Sequence, residues 1–313
     1  MNKTANGTSS KWGVIYCPKE GSRRMQRRWR TIRRQLDAEG LAYDFVQSES
    51  RGSVERLAAM FTQNGYGVIL VVGGDAAMND AINGIMAATP KGTPHPALGI
   101  LPNGYGNDFA RFWGAAHKDY RQVISALLSG HRRLIDVGRA KVTSEGKTTT
   151  RYFLNCINIG VAASITSIRR KTRRFWGSNT LSYLTSALLL LFRRLSWTLH
   201  FKVNTETVER KAMTACIGSA TGYGQTPSAV PYNGLLDVSV VKTPPIGRIC
   251  QGIALLLTGR FLAHRDVSIW RTKHISFTQL QGAPVSFDGR VAHYPILGLD
   301  IDIMPEEIEF LIP

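Results

Sequence analysis

The chain is short of cysteine, of acidic residues and of long apolar runs, and each shortage removes a class of protein. Its four cysteines, Cys17, Cys156, Cys216 and Cys250, lie far apart and form no metal-like pair. Such spacing argues against a zinc module or a disulfide scaffold and favours buried thiols in a reducing compartment. The apolar helix-like stretch Leu181–Phe192 is too short for a transmembrane span, which needs ~20 residues. Met1–Lys11 is polar and small and lacks the basic start and apolar centre of a secretory signal. It is expected to be a tail outside the fold, which makes the Asn6-Gly-Thr8 sequon a chance match. There is no zinc-finger spacing, RNA-binding aromatic signature, internal repeat or long low-complexity segment.

What remains is a chain of 313 residues, 43% hydrophobic, enough to bury a full core and to divide into two domains. Positive charge is in excess. A formal charge of +17 attracts polyanions or anionic surfaces and strains the compact state by self-repulsion. Seven arginines fall between Arg23 and Arg34. At helical spacing Met25, Trp29, Ile32 and Leu36 share an arc of roughly 60°, with Arg23, Arg27, Arg30 and Arg34 opposite. This reads as a surface helix with an apolar stripe on a sheet and a solvated cationic face. A second cluster, Arg169-Arg-Lys-Thr-Arg-Arg-Phe-Trp176, mixes charge with aromatics ahead of the apolar helix, a composition suited to a membrane interface. Arg23–Arg34 and Arg169–Arg174 are therefore expected to meet an anionic membrane surface, at ~1 kcal/mol per basic residue near it. Nucleic acid ranks below lipid as a partner.

Two loops carry the chemistry. Val68-Ile-Leu-Val-Val-Gly-Gly-Asp75 reads as a strand buried on both faces that ends in two glycines and opens a helix, with Asp75 as its N-cap. Gly73 and Gly74 let backbone N–H groups approach an anion at a helix start. Ala97-Leu-Gly-Ile-Leu-Pro-Asn-Gly-Tyr-Gly-Asn-Asp-Phe-Ala-Arg111 repeats the pattern, with Asn107 or Asp108 at the next helix start. Two such loops at the carboxyl ends of parallel strands suggest a nucleotide pocket.

Here the chain resembles the diacylglycerol kinase catalytic-domain family, which includes YegS-like lipid kinases and sphingosine and ceramide kinases. Gly73-Gly-Asp-Ala-Ala-Met-Asn-Asp80 is similar to its GGDGT followed by N-E or N-D, and Pro102-Asn-Gly-Tyr-Gly-Asn-Asp-Phe-Ala-Arg111 to its PxGTGNDFAR. Phe153-Leu-Asn-Cys-Ile-Asn-Ile-Gly160, Leu181-Ser-Tyr-Leu-Thr-Ser-Ala187, Gly234-Leu-Leu-Asp-Val238 and Phe287-Asp-Gly-Arg290 follow in the family's order. The resemblance implies an ATP-dependent, magnesium-assisted transfer of the γ-phosphoryl group to the hydroxyl of diacylglycerol, ceramide or a related membrane lipid. It implies a nucleotide site of Gly73, Gly74, Asp75, Ala76, Asn79, Gly104, Tyr105, Gly106, Asn107 and Asp108. Asp75 matches the loop carboxylate that organises metal and nucleotide, Asp288 the general base, and Asp237 a further metal ligand. It also implies a cytoplasmic protein associated peripherally with the inner membrane face.

The chain departs from the family inside these loops. Ala76 stands at the third glycine of GGDGT; if that position needs a positive φ or a close phosphate approach, the methyl group costs about 1 kcal/mol or more and weakens binding. Ala77 replaces a Thr, Tyr105 a small residue, Arg290 the Glu of DGE, and Asn233 the Asp before GLLDV. The alternative is a catalytically impaired pseudokinase that binds lipid or nucleotide; a third reading is a basic surface-binding protein that uses the scaffold for presentation. For Asp288 there is also a structural role, since Asp-Gly between strands is a type I′ hairpin signal.

The expected fold is an α/β doubly wound N-terminal domain followed by a mostly-β sandwich. Its divisions are a tail at 1–10, a nucleotide-binding domain at 11–135, a lipid-substrate domain at 136–300 and a terminal segment at 301–313 that returns to the first domain. Strands are expected at Trp12–Tyr16, Ala42–Val46, Val68–Val72 and Ala97–Leu101 in the first domain. In the second they are expected at Asp136–Thr143, Arg151–Ile159, Thr198–Val203, Ala212–Gly218, Leu235–Val241, His274–Thr278, Pro284–Phe287 and Leu299–Ile303, with helices near 178–195 and 246–260.

Overall fold

A computed structural model of the chain describes residues 11–18, 23–50, 52–104, 107–115, 120–165, 195–243, 245, 248, 251–252, 255, 258 and 260–313, with the main chain alone for 23–26 and 261. The Arg169–Arg174 cluster, the helix at 178–195 and most of that at 246–260 lie outside these residues, as do Tyr105, Gly106 and Cys250. The chain forms two units, Met1–Leu134 with Ile308–Pro313, and Ile135–Glu307.

The first unit is a parallel sheet. Strand β1 (Trp12–Tyr16) lies between β2 (Tyr43–Gln47) and β3 (Val68–Gly73), and β3 pairs with β4 (Ala97–Pro102) in the register Gly73 to Pro102. β3 and β4 are buried at every residue, as unbroken apolar runs require when both faces are covered. Helices α1 (Arg23–Ala38), α2 (Ser53–Gln63), α3 (Asp75–Ala88), α4 (Asp108–Phe112) and α5 (Tyr120–Leu128) complete the unit. α1 has the amphipathic stripe read from its spacing. Trp29, Ile32 and Leu36 are buried, and the Trp29 ring stacks against Tyr16 of β1 and Phe45 of β2, 4.6 Å from each. Arg27, Arg30 and Arg34 face solvent.

The second unit is β-sandwich-like. β5 (Arg132–Ser144), which starts at the edge of the first unit, pairs with β6 (Lys147–Phe153). β7 (Cys156–Gly160), β8 (Trp197–Val203) and β9 (Glu206–Gly218) follow, then β10 (Leu236–Lys242), β11 (Val267–Thr272), β12 (His274–Gln279), β13 (Val285–Phe287), β14 (Arg290–Val291) and β15 (Gly298–Leu311). Pairings run β14–β13–β7–β9–β8–β12–β15, with β10 and β11 branching from β9. Phe153, Phe201, Phe277 and the aliphatic residues around them form its core.

Besides β14 and the first half of β9, which were not expected, three elements differ from the expectation. Arg151–Ile159 is two strands, because Leu154, Asn155 and Cys156 turn their N–H groups toward the Asp288 carboxylate. β11 was not foreseen; among the described residues it pairs only with β10, and its Ile269 is 57% exposed, so it lacks the buried alternation that marks a strand. β15 continues well past Ile303, through Glu306 at φ 51°. Its final residues belong to the first unit, where Phe310 pairs with Leu98 and packs on Phe109 at 5.3 Å.

Close approach, rather than dihedral freedom, requires glycine at position 84. A Cβ there would stand 2.1 Å from the Glu55 carbonyl oxygen, where α3 packs on α2. Alanine would gain ~1 kcal/mol of helix propensity, but the clash is with main chain and cannot be relieved by a rotamer. Gly84→Ala is expected to lose a net ~1–3 kcal/mol, read as a lower urea midpoint at unchanged slope.

Candidate active site

In the first unit the two glycine loops meet at the carboxyl ends of β3 and β4. Their contact is main chain on main chain: a Cβ on Gly74 would lie 2.8 Å from the Gly104 Cα, and one on Gly104 would lie 2.5 Å from the Gly74 Cα. The Asn103 N–H donates to the Gly73 carbonyl at 2.6 Å. Asp75 bridges the loops, with Oδ2 accepting from the Asp108 N–H at 2.9 Å and Oδ1 from the Phe109 N–H at 3.0 Å. Two orphan donors at the start of α4 are thereby paired, from a side chain 33 residues away.

This geometry corrects the expected role of Asp75 as the cap of its own helix. Gly74 holds the N-cap position of α3, without a side-chain cap, and Asp75 is the first helical residue. Asn107, at φ 50°, caps no helix with its side chain either. Its Oδ1 accepts from the Gly104 N–H at 2.8 Å and its Nδ2 donates to the Gly104 carbonyl at 3.3 Å, bracing the loop on itself. Asp108 is 9% exposed and lies 3.5 Å from the Arg111 guanidinium. Asn79 is fully buried one turn into α3, and its carbonyl accepts from the Asn83 amide.

At Ala76 the first of the two conditions for a penalty, a positive φ, is not met. Ala76 lies within α3 and is not among the residues of positive φ. An alanine there is the best helix former, not a strained substitute for glycine. Ala77 packs against Gly73, where an added Cβ would lie 2.8 Å from the Ala77 Cβ.

The same device recurs twice in the second unit. Asp288 is 2% exposed; its Oδ1 accepts from the Asn155 and Cys156 N–H groups at 2.9 and 2.8 Å, and its Oδ2 from that of Leu154 at 2.8 Å. Asp288 and Gly289 have φ of 45° and 80°, the type I′ turn that joins β13 to β14. Asn155 carries the clamp onward, its Oδ1 accepting from the Gly222 N–H at 2.9 Å. Gly160, which closes the Phe153–Gly160 motif, has φ 84°, and a Cβ there would meet the Met213 carbonyl at 2.5 Å.

Asp136, which the sequence did not single out, is the third clamp. It is 1% exposed and accepts from the Gly234 N–H at 2.7 Å and the Glu306 N–H at 3.0 Å. Its signal was the aspartate in the otherwise apolar start Leu134-Ile-Asp-Val137. Asn233 beside it makes a local turn, accepting from the Leu235 N–H at 3.0 Å. Asp237 has a cation for a partner. The Arg271 guanidinium spans both its oxygens at 2.6 and 3.1 Å, which holds that guanidinium above its ordinary pKa. The pair lines a cavity of about 380 Å³ with Ser239, Leu262, Ile269 and Trp270.

Nucleotide and metal fare differently on this geometry. The glycine contact that a Cβ would fill, and an α3 start free of any side-chain cap, fit an anionic phosphate chain. Among the described residues no group of three or more His, Cys, Asp or Glu could hold a metal ion by itself, so the side chains do not form a cation cage. No helix among the described residues is long and apolar enough to cross a membrane.

An α/β unit with its loops gathered at the carboxyl ends of a parallel sheet, joined to a β-sandwich-like unit, defines the class. The chain belongs to the diacylglycerol kinase family: residues 11–140 match the diacylglycerol kinase catalytic domain and residues 155–312 the YegS C-terminal NAD kinase beta sandwich-like domain. It is 25% identical over 284 residues to a diacylglycerol kinase of Staphylococcus saprophyticus subsp. saprophyticus, covering 88% of this chain and 87% of that one. To a diacylglycerol kinase of Staphylococcus carnosus it is 22% identical over 286 residues, with the same coverage. Two solved structures from Bacillus anthracis str. Sterne superpose at TM-scores of 0.75 and 0.72, each 19% identical and covering 97% of both chains. The second of these is described as a diacylglycerol kinase.

Two substitutions test the loop geometry. Asp75→Asn turns an amide NH₂ toward a backbone N–H and is expected to lose ~1–3 kcal/mol of stability, read by denaturant unfolding. Ala76→Gly is expected to lose ~0.5–1 kcal/mol because its position is helical; a gain in stability would mean that it needs a positive φ.

Proposed function

We propose that this chain is an ATP-dependent lipid kinase that transfers a phosphoryl group to the hydroxyl of diacylglycerol or a related membrane lipid. The observation that carries the reading is the loop pair, two glycine turns in direct contact and tied by the Asp75 carboxylate, in a chain that belongs to the diacylglycerol kinase family. Phosphoryl transfer depends on positioning and charge neutralisation more than on covalent participation. In this reading Gly73, Gly74 and the start of α3 hold the phosphates, and Asn107 keeps Gly104 in place. Asp75 fixes the second loop against the first. Asp288 receives the acceptor proton, its orientation set by the three N–H groups of 154–156. Bound with the nucleotide, magnesium would supply neutralisation of phosphate charge.

The cationic face of α1 suits a lipid acceptor that stays in its bilayer. Arg27, Arg30 and Arg34 are exposed on the side away from the Trp29 stripe, and their charge favours an anionic surface. We assign the protein to the cytoplasmic side of such a membrane.

The test is incubation with γ-labelled ATP, magnesium and mixed micelles of diacylglycerol, ceramide and a total lipid extract. Labelled phospholipid is expected, and none from Asp75→Ala; absence of label from folded protein across all lipids would leave a nucleotide- or lipid-binding pseudokinase. Asp288→Asn is expected to abolish transfer while nucleotide affinity holds. Replacing Arg27, Arg30 and Arg34 together by Glu is expected to abolish sedimentation with anionic vesicles at low salt, while transfer to a short-chain lipid dispersed in detergent persists.

A further inference from the structure

One buried group in the first unit has no part in the loop contacts. Asn103 is 1% exposed, and neither its Oδ1 nor its Nδ2 has a hydrogen-bond partner. Among the described residues it is the one side-chain amide buried with both ends unpaired. Its main chain is well fixed. Its N–H donates to Gly73 at 2.6 Å, the preceding Pro102 is in register with Gly73, and the following Gly104 is held by Asn107 at 2.8 Å. The unpaired amide therefore belongs to the junction of the two glycine loops, at the carboxyl ends of β3 and β4.

Buried polar groups without partners are uncommon in folded proteins and call for an explanation in function. An amide presents a donor beside an acceptor. A phosphate offers acceptors only, so it would satisfy Nδ2 and repel Oδ1. The edge of adenine offers both, an exocyclic amine next to a ring nitrogen, and asparagine pairs with it through two hydrogen bonds. We propose that Asn103 is a specificity-determining residue that reads this edge, Oδ1 accepting from the adenine amine and Nδ2 donating to the adjacent ring nitrogen. The inference rests on the nucleotide reading above. A site built to pair a ligand amine rejects the analogue that lacks it, because its own acceptor is then left unpaired.

The test compares wild type with Asn103→Leu, of similar volume but without polar atoms, and with Asn103→Ala in case the larger side chain disturbs the loop. Binding of three probes is measured by calorimetry: ATP, the triphosphate of purine riboside, which lacks the amine, and inorganic tripolyphosphate, which lacks the base. Wild type is expected to bind ATP at least tenfold more tightly than the amine-free analogue. Both variants are expected to bind the two nucleotides alike and to keep wild-type affinity for tripolyphosphate, and Asn103→Leu to raise the melting midpoint without ligand. A wild-type preference that survives in both variants overturns the inference. So does a loss of tripolyphosphate affinity in step with that of ATP, which would assign the amide to phosphate. Wild type that binds tripolyphosphate and both nucleotides equally overturns base reading and leaves the phosphate site standing; wild type that binds none of the three overturns the nucleotide reading as well.

Discussion

Where a chain leaves a strand to make a loop, its N–H groups lose their ladder partners, and buried ones must find others. This protein answers with carboxylates. Asp75, Asp136 and Asp288 are all at least nine-tenths buried, and each accepts from backbone N–H groups far away in sequence: residues 108 and 109, residues 234 and 306, and residues 154 to 156. Such charge-assisted bonds are stronger than neutral ones. They also specify geometry, since a carboxylate with two fixed oxygens sets where both segments run. The loops that carry the family's motifs are held this way, and these three side chains add to what the glycines and Asn107 fix within the loops.

The clamps also explain what could be read from the sequence. The fold class was legible because β3 and β4 are unbroken apolar runs and because strand density rises after residue 136. The amphipathic α1 was legible because Trp29, Ile32 and Leu36 recur at helical spacing. Asp75 and Asp288 were visible as residues but not as clamps, because the N–H groups they pair with lie 33 and more than 130 residues away. Local pattern carries no trace of such pairing. Asp75 was accordingly read as the cap of the helix it begins, when it caps the next one. At Ala76 the motif writes glycine, which raised the prospect of a positive φ, whereas the backbone there is helical. Asn103 left no signal, since a buried amide in a polar loop looks like any other loop asparagine until its surroundings are known.

Charge is arranged with the same economy. The chain has 22 acidic residues against 39 lysines and arginines, and three of those acids are buried as clamps while others meet cations, as Asp302 meets Arg139 and Asp237 meets Arg271. Arg27, Arg30 and Arg34 lie on the exposed face of a helix whose opposite face is fixed by aromatic stacking. A cationic surface built on a rigid base presents its charges in a constant pattern, which a floppy basic tail could not do.

The closing turn of β15 has a consequence for how the molecule is made. Ile308–Pro313 belongs to the first unit, where Leu311 lies beside Gly99 and Phe310 beside Phe109. Domains generally fold as they leave the ribosome, the amino-terminal one first. Here the earlier unit lacks one of its own segments until the later one has been synthesised. The nascent chain therefore carries an incomplete α/β unit while the second unit is made, a window in which a holding chaperone would have a surface to grip.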